Sequence, residues 1–254
     1  MSRLLSFAGR WIDRIKINDL ARQPRGDRMF WVKRRRPAAG AIIVLANAFF
    51  RFAGNPVVIL PNDAAWQTWE RTCLALLHGD ETAVHNDGRG WWVSEFPGES
   101  VAARLEGGEA TSQMFAAAAR ELRRAHGLDC EDLRGAWSHG DPHSGNFIYD
   151  PATDRAWLMD FEVRHDAEMP PDARHADDLL VFLQDTLGRL PRAEWLEMAA
   201  AFVRAYGRPE ITAHLIERLA EPRGVARLWW AVRTTYLAPR ELNFRLAALR
   251  AALA

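Results

Sequence analysis

A stretch in the middle of the chain, residues 136–165, constrains the fold more than any other part of the sequence. A polar loop is followed by two short apolar runs, residues 147–149 and 155–159, with an Asp-Pro-Ala-Thr-Asp turn between them. Apolar runs on either side of turn-forming residues predict a β-hairpin. Residues that flank the strands of a closed hairpin lie roughly 5 Å apart at the backbone. We therefore expect Asn146 and Asp160 to lie opposite each other.

The polar residues around this hairpin offer hard oxygen ligands. Asn146 contributes an amide oxygen, Asp160 a carboxylate, and Asp141 a second carboxylate from the same loop. Magnesium takes one or two carboxylates and completes its shell with water and phosphate oxygens. These residues predict a Mg²⁺ site at Asn146 and Asp160, with Asp141 left to accept a proton or orient a nucleophile.

Three motifs at coupled spacing carry a family resemblance. His139-Gly140-Asp141, then Asn146, then Asp160-Phe161-Glu162 resemble the catalytic loop and metal motif of the protein-kinase-like superfamily. The variant is similar to that of aminoglycoside and choline kinases and of lipopolysaccharide core kinases. The resemblance implies an ATP- and Mg²⁺-dependent phosphotransferase, with His139 and Asp141 in the catalytic loop, Asp141 as the base, and Asn146 and Asp160 on the metal.

The same resemblance implies an α+β, two-lobed kinase-like fold with a reduced N-terminal β-lobe and a mainly helical C-terminal lobe. The small lobe would span residues 1–96, with a β-sheet, one helix and an apolar insertion at 37–61. The large lobe, residues 97–254, would hold the catalytic loop at 137–146 and the metal motif at 160–162. The sequence departs from the family pattern because it has no glycine-rich loop to cover phosphates.

Lys33 ends a run of aromatic and β-branched residues, Met29–Lys33, that predicts a strand. The chain has 33 basic residues, but only Lys16 and Lys33 are lysines, which suggests that this site needs a compact ammonium group. The resemblance implies that Lys33 binds the α- and β-phosphates and pairs with Glu70 on a helix. The alternatives are an edge-strand lysine whose tip reaches solvent and a surface glutamate.

A second strand is predicted from Trp91 to Phe96, where it meets Pro97-Gly98. The resemblance implies that this is the hinge between the lobes. The backbone near Glu95 and Phe96 would then hydrogen-bond the edge of adenine. Such contacts are made by the main chain, so they depend little on the side chains at these positions.

Ordinary interpretations of the motif region stay open alongside the kinase one. The Asp-Pro-His-Ser-Gly-Asn segment could be a plain turn. His139 and His143 have the spacing of a zinc pair, although Pro142 and Gly145 disfavour the helix that would align them. Other functional alternatives are a pseudokinase that binds nucleotide or a partner, a protein Ser/Thr kinase, and a metal-dependent hydrolase that uses Asp141 and Asp160.

Charge is unevenly spread along a chain of zero net charge. Residues 1–36 contain 11 basic and 3 acidic residues, about 11 − 3 = +8, so this segment is either a solvated arginine-rich face or attracted to an anionic membrane. The apolar insertion is too short to span a bilayer, and it predicts either a buried helix or one lying in the membrane interface.

These features, with only Cys73 and Cys130, favour a cytoplasmic protein, with peripheral contact at the inner membrane face as one interpretation of the basic segment. No secretory signal is read at the N-terminus. The polar loop at 164–174 is shorter than the activation segment of protein kinases, which favours a sugar or lipid-linked sugar as acceptor. No nucleic-acid partner is expected, and the oligomeric state is not predicted.

Local patterns predict the remaining elements. Residues 11–17 form a strand or a short helix, and residues 20–27 a basic turn. Asn62 or Asp63 would cap the helix that carries Glu70. Asp178, near the start of another helix, would accept hydrogen bonds from the catalytic-loop backbone or act as a plain cap. Further amphipathic helices are predicted at 112–126, 192–206, 211–219, 225–236 and 241–253.

Overall fold

The computed structural model describes residues 17–37, 39–79, 82, 84–86, 90–220, 224, 230 and 237–254. The described chain mixes helices with small antiparallel sheets, in agreement with the α+β class expected from the sequence. The predicted elements at 11–17 and 225–236 lie outside the described residues, apart from Ile17 and Trp230.

The strands of the first sheet are β1 (Asn18–Arg25), β2 (Arg28–Arg35), β4 (Val84–Asn86) and β5 (Trp91–Ser94). They pair in the order β1-β2-β5-β4, and every pair is antiparallel. The predicted strand that carries Lys33 is confirmed, and it is an inner strand of the sheet.

The prediction of a basic turn over residues 20–27 is wrong. All eight residues of β1 pair with β2, and only Gly26 and Asp27 form the turn, with Gly26 at φ +65°. β1 contains arginine, glutamine and proline, which are poor strand formers by themselves. The ladder of hydrogen bonds to β2 overrides that weak local preference, and Pro24 is tolerated because β1 is an edge strand.

The apolar insertion folds as helix α1 (Ala39–Phe52) followed by strand β3 (Val57–Ile59). β3 pairs with β11 (Val163–His165), so the insertion rests on the chain that follows the metal motif. The inner side of α1 packs there as a small apolar cluster separate from the main core. Within the described part of the chain, no helix has the length and apolarity needed to cross a bilayer.

Helix α2 (Asp63–His78) places Glu70 beside the sheet. Asn62 caps the helix, as predicted, because its side-chain oxygen accepts a hydrogen bond of 3.1 Å from the backbone N–H of Ala65. The buried side of α2 consists of apolar residues at helical spacing, together with Glu70, which is fully buried. A carboxylate on such a face needs a cationic partner.

The predicted hairpin is confirmed as β9 (Phe147–Asp150) and β10 (Arg155–Leu158), joined by β6 (Glu99–Ser100) into a three-stranded sheet. The register pairs Phe147 with Leu158, so the residue opposite Asn146 is Met159, whose N–H donates to the Asn146 carbonyl. Asp160 lies one residue beyond. The expectation that Asn146 and Asp160 are directly opposite is therefore wrong by one position.

Helices dominate the chain after the first sheet. They are α3 (Val101–Glu106), α4 (Ser112–His126), α5 (Pro171–Leu187), α6 (Arg192–Tyr206), α7 (Pro209–Arg218) and α8 (Pro239–Leu253), with a short pair of strands, β7 (Asp129–Cys130) and β8 (Gly135–Ala136). α4 has the predicted bounds. One continuous apolar core joins α2, α4, α5 and α6 behind the β9–β10 hairpin.

Candidate active site

A cleft of about 640 Å³ lies between the first sheet and the β9–β10 hairpin. The sheet contributes the apolar side chains of Leu20, Trp31 and Val93, and the hairpin side contributes Ile148 and Met159. A flat apolar ring could lie between these two sets. Charged and amide side chains line the same cleft, so it offers an apolar slot together with a polar region.

The polar region is built around Lys33, which is 3% exposed. Its Nζ lies 2.6 Å from Glu70 Oε1 and 3.4 Å from Glu162 Oε2, and it also contacts Asp160 Oδ1. Glu70 comes from α2, whereas Asp160 is 127 residues away in the chain. The structure thus brings together three of the predicted site residues. Because Lys33 is buried on an inner strand, it is not a solvent-reaching edge lysine.

The ionisation of this cluster follows from its charge balance. Burial alone would lower the pKa of Lys33, but the carboxylates of Asp160, Glu162 and Glu70 raise it far above its ordinary value. Burial raises the pKa of Glu70 to about 8 in spite of the attraction of Lys33. Lys33 therefore keeps its charge, and it stands among three carboxyl groups.

The two acids of the metal motif respond differently to the same surroundings. Burial would raise the pKa of Asp160, but the adjacent Lys33 ammonium lowers it below its usual value. Burial raises the pKa of Glu162, helped by the nearby charge of Asp160. Asp160 is thus the carboxylate that the cluster keeps ionised. Glu162 also accepts a hydrogen bond from Asn18 of β1, a contact that the sequence did not suggest.

Backbone geometry turns Asp160 into the cleft. Its φ is +65°, a left-handed conformation that is uncommon for a residue other than glycine. The next residue, Phe161, is 1% exposed and packs 5.2 Å from the ring of His139 and 5.7 Å from that of Trp137. Packing of Phe161 thus holds the turn that presents Asp160.

The donor set fits a magnesium ion. Asn146 donates through Nδ2 to the Asp141 carbonyl at 2.9 Å, which leaves its side-chain oxygen as the ligand atom. Asn146 and Asp160 both line the cleft. One amide oxygen and one ionised carboxylate suit a hard divalent cation that retains water or phosphate oxygens. These residues are the ones that would hold Mg²⁺.

The predicted catalytic loop, residues 137–146, is held by Asp178 on α5. Its two carboxylate oxygens accept 2.8 Å hydrogen bonds from the backbone N–H groups of His139 and Gly140, and one also bonds His126 Nε2 at 3.0 Å. The predicted role of Asp178 as an acceptor for this loop is confirmed. Burial alone would raise its pKa, but nearby His165 and the His126 hydrogen bond keep it well below the usual range.

His139 and His143 lie in different environments and make different hydrogen bonds. His139 is 1% exposed, and its ring bonds the carbonyl of Met159 at 3.1 Å and the N–H of Asp141 at 3.3 Å. Burial lowers the pKa of His139, so the ring is neutral and positions the loop. His143 instead lines the cleft and accepts from the Gly145 N–H at 3.1 Å. Since both nitrogens of His139 bond to backbone, the geometry does not support the zinc pair.

The predicted hinge borders the cleft through Glu95, Phe96 and Gly98. The Phe96 side chain packs away from it, 4.8 Å from the ring of His78 and 5.8 Å from that of Trp157, so Phe96 offers the cleft its backbone. Gly98 has φ +103°, and a Cβ there would lie 2.2 Å from the Tyr149 carbonyl oxygen. Only glycine allows the hinge to pass so close to the hairpin.

Arg22 was not singled out by the sequence. It lies on β1, lines the cleft and forms an ion pair of 2.5 Å with Glu95. Arg22 and Glu95 are 73 residues apart, and no local signal links them. The contact ties the outermost strand to the hinge, so it closes one edge of the apolar slot.

Together these residues form a cleft with an apolar slot, a buried ammonium, a candidate metal position and a half-buried carboxylate, Asp141, in the adjoining loop. Such a set can bind a nucleoside triphosphate with its metal and orient a hydroxyl group to accept a phosphoryl group. No protein-family model and no curated protein sequence matches this chain.

Proposed function

We propose that this chain is an ATP- and Mg²⁺-dependent phosphotransferase with a two-lobed protein-kinase-like fold, acting on a hydroxyl group. The observation that carries the proposal is the position of Lys33, which reaches both Glu70 and Asp160 from an inner strand. A lysine fixed by a helix glutamate beside a metal-binding aspartate is the arrangement that phosphoryl transfer by kinases requires.

Each residue has a defined task under this proposal. Lys33, oriented by Glu70, would neutralise the α- and β-phosphates, and the backbone at Glu95 and Phe96 would bond the adenine edge. Asn146 and Asp160 would hold Mg²⁺, which when bound supplies positive charge to the phosphates. Asp141 would accept the proton of the attacking hydroxyl or orient it. His139 acts as a positioning residue, because its ring bonds backbone rather than facing the cleft.

The short connection after the metal motif supports a small acceptor. Strand β11 ends at His165 and helix α5 begins at Pro171, so only residues 166–170 separate them. A protein substrate is usually aligned by a longer ordered segment at this place. A sugar or lipid-linked sugar hydroxyl is therefore preferred to a protein Ser/Thr residue as the acceptor.

One observation favours a second candidate, a pseudokinase that binds nucleotide or a partner without transfer. The turn between β1 and β2 consists of Gly26 and Asp27 alone, and the sequence has no glycine from residue 10 to residue 25. A glycine-rich loop that would cover the phosphates through backbone N–H groups is therefore missing from this part of the sequence. The ionised Asp160, with Asn146 in the same cleft and Asp141 in the adjoining loop, favours the enzyme.

The Asp141→Asn variant separates the two candidates. We expect nucleotide binding within about threefold of wild type and Mg²⁺-dependent turnover of ATP lower by about 10²–10⁴-fold, because the general base is lost. Binding is measured by calorimetry and turnover with radiolabelled ATP against pools of sugars, lipids and proteins. The matched control is Asp129→Asn, an exposed aspartate on β7. Equal turnover in wild type and Asp141→Asn would contradict the enzymatic proposal, and phosphate release without ATP would indicate a hydrolase.

A further inference from the structure

Helix α1 presents an apolar face to solvent. Val44 is 61% exposed, Leu45 72% and Phe52 67%, and they are three of the five large apolar side chains that are exposed among the described residues. Ala41, one turn before Val44, and Ala48, between Leu45 and Phe52, lie at helical spacing on the same side and are also exposed. We call these five residues the outer face of α1. Clustered exposure of this kind marks an interaction surface, whereas single exposed apolar residues are common.

The orientation of α1 is fixed by contacts on its other side. Ile43 is fully buried, and Asn47 makes two 2.8 Å hydrogen bonds to the backbone N–H and carbonyl of Ile59 on β3. Asn47 and Ile43 thus point toward the protein interior, and the five residues of the outer face point toward solvent. Turning the helix to hide Leu45 would break both hydrogen bonds and expose Ile43. The exposed face is therefore a built feature of the fold.

The charged residues near the outer face in the sequence are all positive. Residues 28–62 contain six basic residues and no acidic residue. Arg51 is exposed in the last turn of α1, and Arg34 and Arg36 are exposed shortly before its first residue. Two of the neighbouring arginines reach acids outside this range, since Arg36 bonds Asp19 at 2.7 Å and Arg35 bonds Asp63 at 3.3 Å. The sequence around α1 still carries a surplus of positive charge.

We propose that the outer face of α1 docks into the interface of an anionic lipid bilayer. The helix has 14 residues and a length of about 21 Å, so it would lie parallel to the membrane plane. Its apolar side chains would enter the boundary between headgroups and acyl chains. Arginines before its start and in its last turn would meet lipid phosphates. The inference goes beyond the phosphotransferase proposal and does not depend on it.

Charge complementarity selects the bilayer over other occupants. A second copy of this chain would bring the same positive region against itself, and like charges disfavour that contact. An anionic bilayer instead offers an apolar layer beneath a negative surface, which matches apolar residues in the middle of the helix with arginines toward its ends. The match accounts for the absence of acidic residues across residues 28–62.

Vesicle binding tests the proposal. We expect wild type to sediment with vesicles of phosphatidylglycerol and phosphatidylcholine and to bind pure phosphatidylcholine at least tenfold more weakly. The Leu45→Glu variant should bind anionic vesicles about tenfold or more weakly than wild type, since it adds a negative charge to the apolar face. The matched control is Phe244→Glu on α8, where Phe244 is 51% exposed, and its vesicle binding should change by less than twofold. Thermal melting of each variant checks that the fold is kept.

A fluorescent label gives a second readout that does not need a destabilising change. Cys73 and Cys130 are buried, so a Leu45→Cys variant can be labelled selectively with an environment-sensitive dye. A blue shift on adding anionic vesicles, absent from a labelled Phe244→Cys variant, is the expected result. Equal shifts at both positions, or none at Leu45→Cys, would overturn the proposal. So would sedimentation data in which Leu45→Glu abolishes a dimer and leaves vesicle binding unchanged, because the face would then be a contact between copies.

Discussion

The two sides of the cleft hold their buried charges in opposite ways. Below the catalytic loop, one carboxylate, Asp178, receives hydrogen bonds from two backbone N–H groups and from His126. Beside the sheet, one ammonium, Lys33, is shared among the carboxylates of Glu70, Asp160 and Glu162. The first arrangement matches donors to one acceptor group, and the second places three carboxyl groups around a single cation.

The difference separates a charge that fixes a loop from a cluster beside the proposed metal site. The Asp178 carboxylate has its pKa lowered although burial opposes this, because its surroundings supply hydrogen bonds and His residues. In the Lys33 cluster burial raises the pKa of Glu70 to about 8 and also raises the pKa of Glu162, so Asp160 is the one carboxylate there whose pKa is lowered. We call the Asp178 site saturated, because donors already meet both of its oxygens, and the Lys33 cluster unsaturated, because a further cation would lower the raised pKa values of its acids. The second property is what a magnesium site needs.

The largest expected effect tests the unsaturated side. An Asp160→Asn variant should lose about 10²–10³-fold in Mg²⁺-dependent turnover, since under the proposed function it removes the ionised ligand of the metal. Its free energy of unfolding should stay within about 1 kcal/mol of wild type, because two carboxylates remain beside Lys33. Turnover at varied Mg²⁺ concentration and urea unfolding measure the two quantities. A large loss of stability with normal turnover would reverse the assignment of roles.

The Asp178→Asn variant tests the saturated side and should have the opposite profile. It replaces a buried carboxylate that accepts three hydrogen bonds, so we expect a loss of about 2–3 kcal/mol in the free energy of unfolding. The matched control on the same helix is Asp172→Asn, an exposed residue of the first turn, with an expected loss below about 1 kcal/mol. Equal losses in the two variants would remove the contrast between the sides of the cleft.

The stability that Asp178 contributes should also depend on pH. The folded-state pKa of Asp178 lies below that of an unfolded aspartate, so the unfolded state takes up the proton first as pH falls. Its contribution to stability is present above about pH 4 and is lost progressively below it. The difference in unfolding free energy between wild type and Asp178→Asn should therefore shrink between about pH 4 and pH 2. Urea titrations at several pH values measure it, and a difference that grows on acidification would contradict this account.

Elements defined by local patterns could be predicted from the sequence. Helix α4 has its predicted bounds, and the β9–β10 hairpin follows from two apolar runs around a turn. Strand β1 could not be found in this way, because its residues have low intrinsic strand propensity and are held in the strand by hydrogen bonds to β2. Local signals therefore identify elements whose stability is local or whose apolar face is periodic, and they miss those that depend on a partner strand.

The contacts of the candidate site also fall into those that the sequence predicts and those that depend on tertiary structure. The convergence of Lys33, Glu70 and Asp160 was expected from the motif resemblance, and the structure brings the three side chains together. The contact of Asn18 with Glu162 joins residues 144 positions apart and depends on the tertiary fold. The offset of Asp160 by one place comes from the register of the hairpin, which pairs Phe147 with Leu158 and is set by the strand pairing rather than by the flanking residues.

The smallest expected effect concerns the edge of the cleft, where an exposed pair contrasts with both buried sites. Arg22 and Glu95 have side chains that are 55% and 29% exposed, so water screens their attraction. An Arg22→Ala variant should lose less than about 1 kcal/mol of stability and change nucleotide affinity by less than about fivefold. Urea unfolding and calorimetry measure these values. Affinity lower by fiftyfold or more would show that Arg22 contacts phosphate directly, and the cleft would then have a second cation that acts together with Lys33.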